Sequence, residues 1–477
     1  MLFNTLTFAL FLLTVLLVYW GLCRRSRTLR NGCLLLASYI FYGWWDWRFL
    51  ALILASSLAA YTAGRTLSTA TAMAKRRVVL YVSLLFNLGL LFAFKYFDFF
   101  VGSLVAALNQ VGIVASPWSL GLILPVGISF YTFQTLSYTI DVYHRKYEPT
   151  SDPLALFTYI AFFPQLVAGP IERADHILPQ FQRERISVSA PWLVDGLRMI
   201  LWGLFLKAVL ADNLAMQVNR VYHGIDGKSG SELAMGALYF SFQIYGDFAG
   251  YSLMARGVAR LFGIDLMVNF MTPYFSRNIG EFWRRWHISL STWFRDYVYI
   301  PLGGSRGNQL FCLRNIFIVF LLSGLWHGAD WTFIIWGAVH AAAFMPLFLL
   351  GKNRQYTGDI AAGRCLPPWR EAGAMLLTFV YVTLAWIFFR AENLDQALRY
   401  FEGLFDASLF SLPASHRRGV IWIILLLAVE WPDRNATIPL RFPAWRRWQR
   451  WVLYLVLVCV IYYCGYFGET EFIYFQF

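Results

Sequence analysis

Charge is what this chain has least of. Only 14% of its 477 residues are Asp, Glu, Lys or Arg, against 58% apolar and 19% aromatic. That balance excludes a set of water-soluble domains and implies an integral membrane protein. Cysteine is scarce too. The six residues Cys23, Cys33, Cys312, Cys365, Cys459 and Cys464 form no CxxC pair and no metal-ligand spacing, so neither a structural disulfide nor a metal site is expected. Hydrolase and nucleotide signatures are missing: there is no GxSxG, GxxxxGK[ST], HExxH or EF-hand loop, which leaves a serine triad or a P-loop unsupported. A basic n-region and a small-residue cleavage site are also lacking around the first apolar run, so this run is expected to be a retained span rather than a signal peptide.

What is present is a succession of apolar runs, at 2–22, 33–45, 49–63, 78–94, 120–140, 192–210, 233–253, 316–326, 331–350, 375–389, 420–429 and 451–466. Together they predict an all-α, polytopic transmembrane helix bundle of roughly eleven or twelve spans, forming one domain over 1–477. The net charge of +13 sits in short basic clusters between these runs, as cytoplasmic loops require, so no nucleic-acid partner is expected. Arg24, Arg25, Arg27 and Arg30 place the end of the first span in the cytoplasm and the N-terminus outside. Residues 154–169 are apolar but short, stop at Pro164 and Gly169-Pro170, and carry cations on both flanks. A re-entrant segment fits this pattern, with a short buried span as the alternative. Lys207 and Asp247 fall inside expected spans, where they must face the protein as structural partners or transport ligands. Between 269 and 315, arginines alternate with Trp283, Trp286, Trp293, Tyr297 and Tyr299. This mixture predicts interfacial amphipathic helices with their rings in the headgroup layer.

The chemistry concentrates in 321–341, LLSGLWHGADWTFIIWGAVHA, an apolar stretch containing His327. An ionisable ring in such sequence is costly and marks a candidate functional site. A neutral imidazole there takes a hydroxyl proton as the oxygen attacks a carbonyl; a hydrogen-bonded bundle histidine is the competing reading. Gly324 and Gly328 bracket the Leu-Trp-His triplet and admit another backbone or a thin substrate arm. His287 and His340 lie in neighbouring segments and carry the same two readings, whereas His144, His176, His223 and His416 fall in expected loops.

Several ordered blocks then become recognisable: YIFYGWW (39–45), PVGISFYTFQTLSYTIDVYHRK (125–146), FFPQLVAGPIER (162–173), EFWRRWHISLSTWFRDYVYIPLGGSRG (281–307), LWHGADWTFIIWGAVH (325–340), IFFRAENL (387–394) and FIYFQF (472–477). They resemble the membrane-bound O-acyltransferase family, in its bacterial alginate O-acetyltransferase branch. The resemblance implies a helix bundle with re-entrant pieces around a central tunnel or funnel. It also implies His327 as the catalytic general base, with His287 as its companion. The implied setting is the bacterial inner membrane. There an acetyl group passes from a cytoplasmic thioester, acetyl-CoA or an acetylated carrier protein, to a hydroxyl of an exported polysaccharide, directly or through a periplasmic or extracellular acetyltransferase partner. No permanently bound cofactor is implied. Arg284, Arg285, Arg295 and Arg306 are expected on the cytoplasmic face, from which the donor approaches, and are candidates for its phosphates, with topology signals or headgroup contacts as the plainer reading. Asp330 stands where relatives more often carry Ser or Asn; it either holds the His327 ring or caps the next helix. The rival functions are a polytopic transporter or flippase, in which Lys207 and Asp247 would outweigh His327, and a non-catalytic membrane anchor.

Overall fold

The computed structural model describes residues 1–167, 169–413, 419–468 and 472–473, and most of those residues are helical, with no strand among them. They pack as two compact units, Met1–Ala190 with Val258–Met267, and Pro191–Gly257 with Val268–Phe477.

The first unit holds α1 (Leu6–Val18), α2 (Arg27–Asp46), α3 (Leu50–Thr69), α4 (Met73–Leu91), α5 (Phe97–Gln110), α6 (Ile128–Tyr143), α7 (Pro153–Ala161), α8 (Phe163–Leu166) and α9 (Ala174–Phe181). Thr5 and Ser26 cap α1 and α2 by accepting the N–H of Phe8 and Leu29. The break expected at Asp46-Trp47-Arg48 is real. Asp46 leaves the helix with an extended backbone (φ −157°) and its carboxylate accepts the Arg48 N–H at 2.9 Å, so α2 and α3 are separate helices. The run expected at 120–140 starts later than its hydropathy suggests. Residues 120–125 have no regular structure, Gly127 takes φ +77°, and α6 begins only at Ile128. Leu166 O lies 2.6 Å from where a Gly127 Cβ would stand, so both the conformation and the space demand glycine. Nine-residue α7 rises about 14 Å and cannot cross a bilayer core of about 30 Å. It ends at Phe162, and Pro164 then sits in the first turn of α8.

The second unit holds α10 (Ala190–Leu204), α11 (Asp212–Tyr222), most of α12 (Gly230–Leu261), α13 (Ile279–Arg285), α14 (Ile288–Phe294), α15 (Gln309–His327), α16 (Trp331–Leu349), α17 (Trp369–Arg390), α18 (Leu394–Leu404), α19 (Val420–Glu430) and α20 (Arg447–Cys464). Among the described residues six stretches are long and apolar enough to cross a membrane: Leu6–Cys23, Arg27–Thr69, Met73–Gln110, Gln309–His327, Trp331–Leu349 and Trp369–Arg390. Arg27–Thr69 holds two of the expected runs, 33–45 and 49–63, whereas the runs at 120–140, 192–210 and 420–429 give α6, α10 and α19, helices of only 16, 15 and 11 residues. The charges at Lys207 and Asp247 are matched: Lys207 Nζ lies 2.8 Å from Asp212 Oδ1 and 2.7 Å from Asp247 Oδ1, all nearly inaccessible. Lys207 itself falls in a π-helical turn, Phe205–Ala211, that joins α10 to α11.

The expected headgroup layer of aromatic rings is corrected by the structure. Trp283, Trp286 and Trp293 are buried, Trp286 with 1% exposure. Helices α13 and α14 are seven residues each, too short to lie as long amphipathic faces, and the bend between them turns Trp283 and Trp286 into the core of the second unit.

Candidate active site

Helix α15 starts at an Asn308 cap and ends on His327, where Gly328 goes extended and breaks the helix. Asp330 then caps α16: its carboxylate accepts the Thr332 N–H at 2.8 Å, the second of the two roles open to it. The two helices form a hairpin in direct backbone contact. A Cβ on Gly324 would stand 2.2 Å from Phe333 O, and one on Gly337 would stand 2.3 Å from Phe320 O. A Cβ on Gly328 would meet the Phe333 ring at 2.1 Å, so α16 takes up the space that these glycines leave. They serve the neighbouring helix and not a substrate arm.

The His327 ring is 2% exposed. Its centroid lies 5.0 Å from Trp326, 5.2 Å from Trp336, 5.2 Å from Phe389 and 6.3 Å from His287. Two of the candidate histidines, distant in sequence, are thus brought together. His287 reaches this position through an unusual backbone: it starts α14 with φ +42° and ψ +54°, a left-handed conformation that costs a non-glycine residue roughly 1–2 kcal/mol. Such cost persists where surrounding structure imposes it, often at functional sites.

Asn269 holds the His287 ring, and nothing in the sequence singled it out. Its Oδ1 accepts the Ser289 N–H at 3.3 Å and the Ser289 hydroxyl at 3.0 Å, and it lies 3.1 Å from His287 Nδ1. Because an oxygen that takes a backbone N–H is an acceptor, Nδ1 must be the protonated nitrogen. His287 Nε2 therefore carries a lone pair, and among the described residues it has no hydrogen-bond partner. The only advance signal was an asparagine in an apolar run, LMVNFMTP (266–273).

The four arginines part company. Arg285 is buried, ion-paired to Glu281 at 3.1 Å and bonded to Met271 O. Arg284, one residue and about 100° earlier on the helix, is exposed and donates to the carbonyls of Asn353 at 2.8 Å and Tyr356 at 2.7 Å. Arg295 is exposed, pairs with Asp296 at 2.7 Å and lines a cavity of about 190 Å³. Trp283, Phe320, Ser323 and Asn353 also line it, and Ser323 lies one turn before His327 on α15. Arg306 is exposed on the turn before α15.

Of the remaining histidines, His176 lies in α9 rather than in a loop, with Nδ1 2.8 Å from the buried Glu172 carboxylate. His144 and His223 follow α6 and α11 at their C-terminal ends, and His416 lies outside the described residues. Among the described residues no three His, Cys, Asp or Glu side chains converge as metal ligands would.

A paired-imidazole site beside an apolar cavity, on a chain with six membrane-length stretches, is matched over residues 40–355 by the profile of the membrane-bound O-acyltransferase family. The chain belongs to that family. It is 39% identical over 412 residues to the probable alginate O-acetylase AlgI of Pseudomonas aeruginosa, covering 85% of this chain and 76% of the relative. The peptidoglycan O-acetyltransferase of Helicobacter pylori is 36% identical over 406 residues, 80% of this chain and 74% of that one. A more distant relative, the teichoic acid D-alanyltransferase of Bacillus subtilis, is 30% identical over 285 residues, 56% of this chain and 69% of that protein. The chain is a multi-pass membrane protein and an O-acyltransferase.

In this O-acyltransferase His287 lies outside the six apolar stretches, and burial pushes its imidazole down to about 3. An unfolded histidine titrates near 6.5, so below that pH the unfolded chain binds the extra proton and the folded one does not. Stability contributed by the neutral ring is therefore complete above about pH 6.5 and declines as pH falls, by up to about 1.4 kcal/mol per unit. Asparagine accepts a left-handed backbone but does not titrate. His287→Asn is expected to flatten the acid slope of thermal unfolding in detergent; an unchanged slope would mean the buried ring is not what acid attacks.

Proposed function

We propose that this enzyme works in the bacterial inner membrane, moving an acetyl group from a cytoplasmic thioester, acetyl-CoA or an acetylated carrier protein, to a hydroxyl of an exported polysaccharide. Transfer is direct or passes through a periplasmic or extracellular partner. The observation that carries this reading is the pair of buried imidazoles, 6.3 Å apart, one of them holding a fixed lone pair. The acetylase names of the relatives from Pseudomonas aeruginosa and Helicobacter pylori support the acetyl group and a glycan acceptor.

His327 acts as general base. It removes the acceptor's hydroxyl proton while the oxygen bonds to the thioester carbonyl carbon; the carbon–sulfur bond breaks and the leaving thiolate takes the proton back from the imidazolium. His287, with Nδ1 engaged by Asn269, uses Nε2 to orient the hydroxyl. Trp326, Trp336 and Phe389 surround His327 and keep water from the thioester. Arg295 and Arg306, both exposed, meet the donor's phosphates, since guanidinium binds phosphate through paired hydrogen bonds. Arg284 shapes the 353–356 loop at the cavity, and Arg285 is a structural cation of α13. The slim cavity receives the thioester arm, which reaches His327 when the Trp283 and Trp336 side chains shift.

Purified protein in vesicles, given labelled acetyl donor and a polysaccharide or a purified partner, should transfer label to an acceptor. Movement of donor or glycan across the vesicle without an acylated product would instead identify a transporter.

A further inference from the structure

His340 belongs to none of the roles above. It sits midway along α16, is 0% exposed, and neither ring nitrogen has a hydrogen-bond partner among the described residues. A buried polar group left in that state forfeits its hydration, at a cost that proteins seldom carry without a reason. The position of the ring supplies one. His340 lies 4.8 Å from Trp336, which in turn lies 5.2 Å from His327. On its other side it touches Trp283 at 5.0 Å and stacks at 6.5 Å on Phe320, and both of these rings form the wall of the 190 Å³ cavity. The indole N–H groups of Trp283 and Trp336 are likewise buried without a hydrogen-bond partner among the described residues. A line of unmatched polar atoms thus runs through aromatic walls from the cavity towards His327.

We infer that His340 is a binding residue for the acyl donor, hydrogen-bonding an amide of the thioester arm as it passes from the cavity to His327. This rests on the acyl-transfer reading of His327 given above. A neutral imidazole offers one donor and one acceptor, the complement of a secondary amide, and carries no charge that would demand a counter-ion in this apolar setting. The cavity is smaller than the roughly 300–1,000 Å³ of an ordinary ligand pocket, and it suits an unbranched chain better than a nucleotide or a sugar. Both donor classes, acetyl-CoA and an acetylated carrier protein, present the same amide-bearing pantetheine arm. His340 therefore recognises the arm that the two donors share and leaves the choice of acceptor untouched.

The test uses the full-length chain in lipid nanodiscs, with His340→Phe, His340→Gln and, should phenylalanine not fold, His340→Leu. Each is assayed with acetyl-CoA and with an acetylated carrier protein, alongside thermal unfolding. His340→Phe should raise the half-saturating donor concentration about tenfold, the upper worth of one neutral hydrogen bond, with kcat and acceptor KM little changed. Its unfolding temperature should be unchanged or higher, since an unmatched polar ring has become apolar. Glutamine, which keeps a donor and an acceptor, should recover most of the loss. If the unaltered protein turns over only one donor, a shift with that donor supports the assignment; if it turns over both, a shift with one alone overturns it. A folded phenylalanine or leucine variant with unchanged donor KM for both donors overturns it, as does a loss confined to kcat. Absence of transfer by the unaltered protein from either donor would instead overturn the acyl-transfer reading itself.

Discussion

Alanine at position 327 is expected to lower acyl transfer by about 10²- to 10⁴-fold, the ordinary worth of a general base, while the chain still folds and inserts. The expectation follows from the ring's place at the end of α15, enclosed by Trp326, Trp336 and Phe389 and facing His287. Labelled-acetyl transfer by purified His327→Ala, normalised to folded protein, is the measurement. His327→Gln should be nearly as inactive, because an amide is no base at neutral pH even where it fills the space. Full turnover by either variant would remove His327 from the chemistry. His287→Asn should lose less, because orienting a hydroxyl is only part of the barrier and the His327 base remains.

Lys207→Met should be the most damaging single change to stability. It leaves Asp212 and Asp247 facing each other without their shared ammonium, and breaking a buried ion pair from one side costs about 3–5 kcal/mol. Asp247 also accepts the Ile473 N–H at 2.7 Å, so its loss of a counter-charge reaches the segment at 472–473. Thermal unfolding and expression in membranes are the readouts. The triple variant Lys207→Met/Asp212→Asn/Asp247→Asn removes all three charges together and should regain much of the loss. If Lys207→Met unfolds at the original temperature, the cluster is not a structural one, and the case for a transport pathway gains.

Local chemistry made parts of this architecture readable in advance. Asp46 and Asp330 cap helices where an aspartate beside an apolar run should, and the apolar runs at 316–326 and 331–350 are a helical hairpin. The readings that changed depend on what lies across the fold. Whether Trp283 and Trp286 enter the core or a headgroup layer is decided by a left-handed turn at His287 that no periodicity reveals. Arg284 and Arg285 look alike in sequence, but one turn geometry sends Arg285 to Glu281 and Arg284 to a loop some seventy positions away, 69 residues to Asn353. The imidazole pair was legible because both rings sit in dense family blocks. Asn269, which fixes the tautomer of one of them, was not, because its partners at Ser289 and His287 are 20 and 18 residues distant.

The glycine contacts at positions 324 and 337 have a mechanical consequence. With carbonyls of each limb seated in the other's groove, α15 and α16 cannot slide, and they behave as one stiff beam. The imidazole at the beam's corner and the one halfway along its second limb keep a constant separation whatever the enzyme does. Breathing that lets a long molecule in is then left to side chains and to α13, whose Trp283 leans on that beam like a latch against a doorpost.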